Sequence, residues 1–183
     1  MDNAQSQVDS MTQNNCVSFD KDKFKQVLHY IVHQCGCLEK FGKTVLFKML
    51  YFSDFDFYEL HEEKLTGENY RKLPNGPAPC NFDEVIEELG GEGKIAHSTR
   101  KVGVYDQNRY ESMRHPEINL LSANELDVIN NVIKRCQTMN ATQISAYSHL
   151  DAPYKSTSDL DIIDYELVFY RDDMSSVREY PDD

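Results

Sequence analysis

Tryptophan is missing from the 183 residues, and no apolar run approaches the ~20 residues that a membrane-spanning helix needs. The N-terminus, Met1 to Val17, also lacks the basic head and apolar middle of an export signal. A soluble, cytoplasmic protein is therefore expected. Cysteine is present but unpaired in pattern: Cys16, Cys35, Cys37, Cys80 and Cys136 are odd in number and have neither zinc-site spacing nor the layout of a secreted disulfide framework. Positive charge is scarce. Nineteen Lys and Arg against 31 Asp and Glu give a net charge of -12, which repels phosphate backbones, and no basic cluster is large enough to reverse that field locally. Direct nucleic-acid binding is disfavoured.

Apolar groups, by contrast, are sufficient. The chain is 40% hydrophobic, with nine Phe and eleven Tyr, enough for one continuous core in one domain. Residues 1–18 are polar and read as a disordered leader, residues 19–171 as the domain, and residues 172–183 as a solvated acidic tail. Residues 151–183 hold ten acids and three bases, a net of -7.

The spacing predicts about five helices. Asp20 caps the first, which carries Phe24, Val27, Leu28, Ile31 and Val32 on one face and stops at Gly36. The second, Lys43 to Leu60, is apolar on two sides, with Leu46, Met49, Leu50 and Phe57 on one and Phe47, Tyr51, Phe55 and Tyr58 on the other, so it should be central. Leu65 to Pro79 is too rich in Gly and Pro for a helix and reads as an ordered loop with short extended pieces. Asn81 with Glu84, Ser122 with Glu125 and Asn140 with Gln143 are capping-box patterns that start three further helices. Between the first two of these, Lys94 to Met113 loses the helical period and reads as a β hairpin or wing. Leu167 to Tyr170 is too short to assign to strand or helix. The fold class is α+β, mostly helical, with a small hairpin.

Chemical motifs are weak. Gly42-Lys43-Thr44 resembles the end of a phosphate loop, but Cys37 stands where that loop needs glycine. His29 and His33 lie four apart on one helix with Cys35 and Cys37 beyond, yet on a side facing away from the apolar stripe, so a solvated pair without bound metal is the expectation. Cys80, just before a helix start, could be a nucleophile only with a histidine such as His149 in reach. None of the carboxylates stands in an apolar context that would raise its pKa. No cofactor is expected, and no enzyme signature emerges. A small cysteine/histidine-dependent hydrolase remains an alternative, as does a winged-helix-like DNA regulator, although the fifth helix has no Lys or Arg. Two loops, Tyr70 to Pro79 and His149 to Tyr154, gather Tyr, His, Gly and Pro. Aromatic rings on loops stiffened by Gly and Pro lose little entropy on binding, which suits a protein-binding surface.

Lys48-Met49-Leu50-Tyr51-Phe52-Ser53-Asp54, then Leu65-Thr66-Gly67, Tyr70 and Gly76-Pro77, and later Ser148-His149, Pro153 and Tyr154, together resemble the two signatures of the Panacea domain of SocA-like antitoxins. The resemblance spans roughly residues 22–170. It departs at Asn75, where the family usually has an aromatic, and at Tyr154, where it commonly has Trp. It implies a bacterial or phage antitoxin that neutralises a cognate protein toxin by direct contact and, in the SocA case, delivers it to a protease. On this reading Tyr51, Asp54, Tyr70, Gly76, Pro77, His149 and Tyr154 are the toxin-binding residues, and the acidic surface favours a basic toxin face.

Overall fold

The computed structural model describes residues 18–179, so the expected leader, apart from its last residue, and the last four residues of the expected tail lie outside it. Six α-helices, one 3-10 helix and two separate two-stranded antiparallel sheets make up the described residues, an α+β and mostly helical domain.

Helix α1 (Lys21–Cys35) starts where the Asp20 carboxylate accepts from the Lys23 N–H at 3.0 Å. It buries Phe24, Val27, Leu28, Ile31 and Val32. Gly36 ends it through a close approach and without a left-handed turn: a Cβ there would stand 2.9 Å from the Tyr110 carbonyl.

Helix α2 (Lys43–His61) is the axis. It packs on α1, on the later helices Ala123–Cys136 and Ala141–His149, on both hairpins and on the 3-10 helix. Covered on most of its circumference, it buries Lys48, Asp54, Asp56 and Glu59 together with Leu46, Met49, Leu50, Tyr51, Phe55 and Phe57 of its apolar stripes, while Phe47 and Tyr58 are partly buried. Each fully buried Phe or Leu contributes about 1.5–3 kcal/mol, and these stripes are the densest source in the chain.

The Gly- and Pro-rich stretch forms a tight hairpin, β1 (Tyr70–Leu73) against β2 (Gly76–Pro79), in the register Tyr70↔Pro79 and Leu73↔Gly76. Pro74 presets the first turn position, and Gly76, at φ +101°, takes the conformation that other residues rarely adopt. Helix α3 (Phe82–Gly91) follows without the expected capping box, because the Asn81 side chain donates to Glu68 instead at 2.9 Å. The longer hairpin, β3 (Ile95–Val102) with β4 (Tyr105–Ser112), turns at Gly103-Val104. Its base is fixed by the buried Arg109, which donates to the carbonyls of Gly36, Leu38 and Glu39 at 2.8–3.0 Å. Helices α4 (Ala123–Cys136) and α5 (Ala141–His149) both begin with the complete capping boxes expected of them. The short α6 (Ala152–Ser156) and the 3-10 helix Tyr165–Tyr170 close the fold, which resolves the ambiguous apolar run as helical.

Within the expected tail, Asp172, Asp173, Met174 and Glu179 are exposed, while residues 175–178 are partly covered. Ser176 Oγ donates to Glu59 at 2.5 Å, the Val177 N–H to the same carboxylate at 3.2 Å, and Arg178 to the Glu59 carbonyl and, at 2.9 Å, to Glu62. The segment runs as a strap over the end of α2, because its basic residues find carboxylates that a charge count alone cannot locate.

Candidate functional site

Three buried polar clusters radiate from α2, and the residues picked out by the sequence reading populate them. In the first, Asp54, 1% exposed, accepts from the Thr66 N–H (2.8 Å), the Thr66 hydroxyl (2.9 Å) and the Tyr70 hydroxyl (2.6 Å). Burial raises its pKa to about 7 against the pull of these three donors. Beside it Glu68, fully buried and also raised by burial, receives Asn69 N–H and the Asn81 side chain, while the Tyr165 hydroxyl donates to the Glu68 carbonyl at 2.7 Å.

The second cluster joins α2 to the first hairpin and to α5. Lys48, 2% exposed, donates to the Pro77 carbonyl at 3.2 Å. Gly76 makes this approach possible: a Cβ there would lie 2.6 Å from Lys48 Cε and 2.5 Å from Ser148 Oγ. Tyr154 closes the far side, its hydroxyl donating to the Leu73 carbonyl at 2.8 Å and its ring stacked on His149 at 4.7 Å.

The third cluster is ionic. Arg171, its side chain 1% exposed, reaches Asp56 (2.8 Å), Glu59 (2.7 Å) and both oxygens of Asp151 (2.8 and 2.9 Å). Asp151 also accepts from the Tyr51 hydroxyl at 2.7 Å, and Asp56 from Arg135 at 2.6 Å.

These positions correct the expected exposure of the seven nominated residues. Tyr51 and Tyr70 are fully buried, Asp54, Gly76 and Pro77 are buried, Tyr154 is 8% exposed, and only His149 is partly open. The rings fold inward because their hydroxyls find acceptors inside: two carboxylates for Tyr51 and Tyr70, a hairpin carbonyl for Tyr154. The reading that no carboxylate sits in an apolar setting is corrected as well, by Asp54 and Glu68. Neither lines any of the concavities described below.

Other chemical candidates resolve plainly. Cys80 is exposed beside Glu68 and Arg71, with its pKa raised by burial, whereas His149 lies against Tyr154, so the structure does not pair the two. His29 is buried, contrary to the solvated face expected for it, because β4 crosses that side of α1. Its Nε2 and His33 Nδ1 both meet Ser112 Oγ, at 3.0 and 3.2 Å. No group of three or more His, Cys, Asp or Glu among the described residues is placed to hold a metal ion. Lys43 of the phosphate-loop look-alike pairs with Asp83 at 3.1 Å. The sequence reading missed Glu68 and Arg171, and used Lys48 and Thr66 only as parts of motifs. A lysine between two apolar stripes of a central helix was the available signal for Lys48.

Exposed apolar side chains occur at several places on the surface, Ile118 and Leu120, Leu160 and Ile162, and Phe169 and Tyr170 among them, and two further places adjoin concavities. The turn of the β3–β4 hairpin exposes Val102, Val104 and Tyr105, the middle one at 90%. Leu150 and Met174 flank a second concavity that includes Phe52, Tyr147 and Arg135. No helix among the described residues is long and apolar enough to cross a membrane.

No curated protein and no solved structure matches the chain. A family model does, over residues 46–155, the span that contains most of α2, both hairpins, the Asp54 and Lys48 contacts just described and the Tyr51–Asp151 bond, but not Arg171. By that match the chain belongs to the family of SocA-like antitoxins, as a Panacea domain.

Proposed function

We propose that this protein is the antitoxin of a toxin-antitoxin pair and silences its toxin by holding it, with no covalent bond made or broken. The observation that carries the reading is the use made of the signature residues. Tyr51, Asp54, Tyr70, Pro77 and Tyr154 spend their polar groups on Asp151, Thr66, Lys48, one another and the backbone, which leaves none of them poised over a cleft as a nucleophile or base. In binding, these residues and His149 act by shape: they fix the first hairpin and α5 against α2, so that neighbouring exposed groups meet the toxin from a rigid frame. The apolar turn of the second hairpin supplies a desolvated contact, and the acidic faces steer a basic partner.

Delivery of the held toxin to a protease is a further proposed step. It predicts that the toxin's half-life in cells shortens when this chain is present. The test of binding itself is titration calorimetry between the purified chain and the product of the adjacent reading frame, with growth rescue on co-expression. A saturable complex and rescued growth support the reading. Rescue without any detectable complex removes it.

A further inference from the structure

We infer that the groove floored by Lys48 receives a carboxylate of the partner protein, an Asp or Glu side chain next to a large apolar one. This rests on the antitoxin reading above and names the partner's chemistry.

Among the described residues, Gln107 Oε1, Arg135 Nε and His149 Nε2 are buried without a hydrogen-bond partner, and Lys48 is the buried cation with the poorest set of partners. Arg171 meets three carboxylates and Arg109 three carbonyls, but the buried Lys48 amine has one carbonyl, at 3.2 Å, and no ion pair among the described residues. A buried ammonium so poorly served is destabilising, and a carboxylate is the group that relieves it. There is room for one. Two adjoining concavities of about 320 and 390 Å³ share Lys43, Thr44 and Asn108 as common wall. Lys48 and Gly76 lie in the first, Val102 and Tyr105 in the second, so an anionic and an apolar anchor sit side by side.

Charge fits the same occupant. In a chain of net -12 this groove is rimmed by Lys40 and Lys43 and faces the start of α2, whose first turn has no side-chain cap. Asp106 lines it, and Lys43 is already paired with Asp83 at 3.1 Å, so Lys40 and Lys48 are the cations left for a bound carboxylate. The partner's remaining surface can still be basic, as the overall charge favours.

Protonation follows from the geometry. The groups around Lys48 are Lys43 on its own helix, Ser148 on α5 with His149 turned to Tyr154, Asn75 and backbone from the first hairpin, and Asn108 from β4. Burial alone lowers its pKa, to about 7. A bound carboxylate restores the charge, so above pH 7 binding takes up a proton.

The test uses the full chain with lysine labelled at 13Cε, and N-acetyl-Asp-Phe-amide as probe. We expect the Lys48 titration midpoint to rise by one unit or more on saturation, and the Val102 methyl signals to move. The Asn-Phe analogue should bind at least tenfold more weakly. Unmoved Lys48 signals, or equal binding of the Asn analogue, overturn the inference.

With the toxin of the adjacent reading frame, affinity should fall about tenfold from pH 6 to pH 8, because the free amine must regain its proton. Lys48→Met should weaken binding tenfold or more and flatten that slope. The slope of the wild-type protein stands as the readout should the variant fold poorly. A toxin that binds both proteins alike, without slope, overturns the groove and leaves the antitoxin reading intact. A toxin that does not bind at all, while the dipeptide seats, removes the antitoxin reading and supports the ligand class.

Discussion

Replacing Arg171 with methionine should be among the most damaging single changes in this protein. Its guanidinium is buried and makes contacts of 2.7–2.9 Å with Asp56, Glu59 and Asp151, and methionine fills much of the volume while supplying no charge. Removing one partner of a buried ion cluster costs about 3–5 kcal/mol, because the remaining charges stay buried without compensation. Arg135 still reaches Asp56, and Ser176 and Val177 still reach Glu59, so the loss centres on Asp151 and the lower half of the range is expected. At a urea m-value of about 2 kcal/mol/M, a loss of roughly 3 kcal/mol moves the unfolding midpoint down by about 1.5 M. The assay is equilibrium urea unfolding followed by far-UV circular dichroism at pH 7.5 and again at pH 5. Orphaned carboxylates take up protons more readily at the lower pH, so the deficit should shrink there. A midpoint shift below about 0.5 M, or a deficit that grows on acidification, would refute the claim that this cluster holds the chain's end to α2.

Tyr70→Phe removes one donor from Asp54 and should cost about 1–2 kcal/mol by thermal unfolding. It should also raise the Asp54 titration midpoint above about 7, read from the carboxyl 13C shift, since the Tyr70 hydroxyl opposes the upward effect of burial. Gly76→Ala meets both a positive φ and two contacts under 3 Å, so a loss of about 1–3 kcal/mol is expected in the same unfolding assay. Lys48→Met should gain on the wild-type protein as the pH falls. The native lysine pKa is lowered from 10.5 to about 7, so the folded state binds fewer protons than the unfolded one between those values. Wild-type stability therefore declines from pH 10 to pH 7 relative to the variant and runs parallel to it below. Parallel curves across the whole range would show that the amine is not desolvated.

The helices were legible because their signals are local: Asp20, Ser122 and Asn140 each sit beside the backbone they cap, and the apolar pitch of α2 declares its central place. The burial of the signature residues was not. Tyr51 and Asp151 are 100 residues apart in sequence, and Asp56 and Arg171 are 115 apart, so no window of periodicity contains both members of either pair. Gly and Pro between Leu65 and Pro79 correctly forbade a helix, but they also suggested a free loop. A hairpin anchored by Lys48 under Gly76 carries the same composition. The acidic end misled for a related reason, since net charge does not register that Arg171 is placed against carboxylates of α2 and Arg178 against that of Glu62, its C-cap.

The claim on which the account turns is that this chain silences by occupancy. Its most direct test is to titrate the purified product of the adjacent reading frame with the chain, following residual toxin activity against molar ratio and the toxin's intact mass by mass spectrometry. The account predicts a linear fall to zero at a fixed molar ratio, an unchanged mass, and full activity once the two are separated. Silencing by a small fraction of that ratio, or a toxin altered in mass, would contradict it.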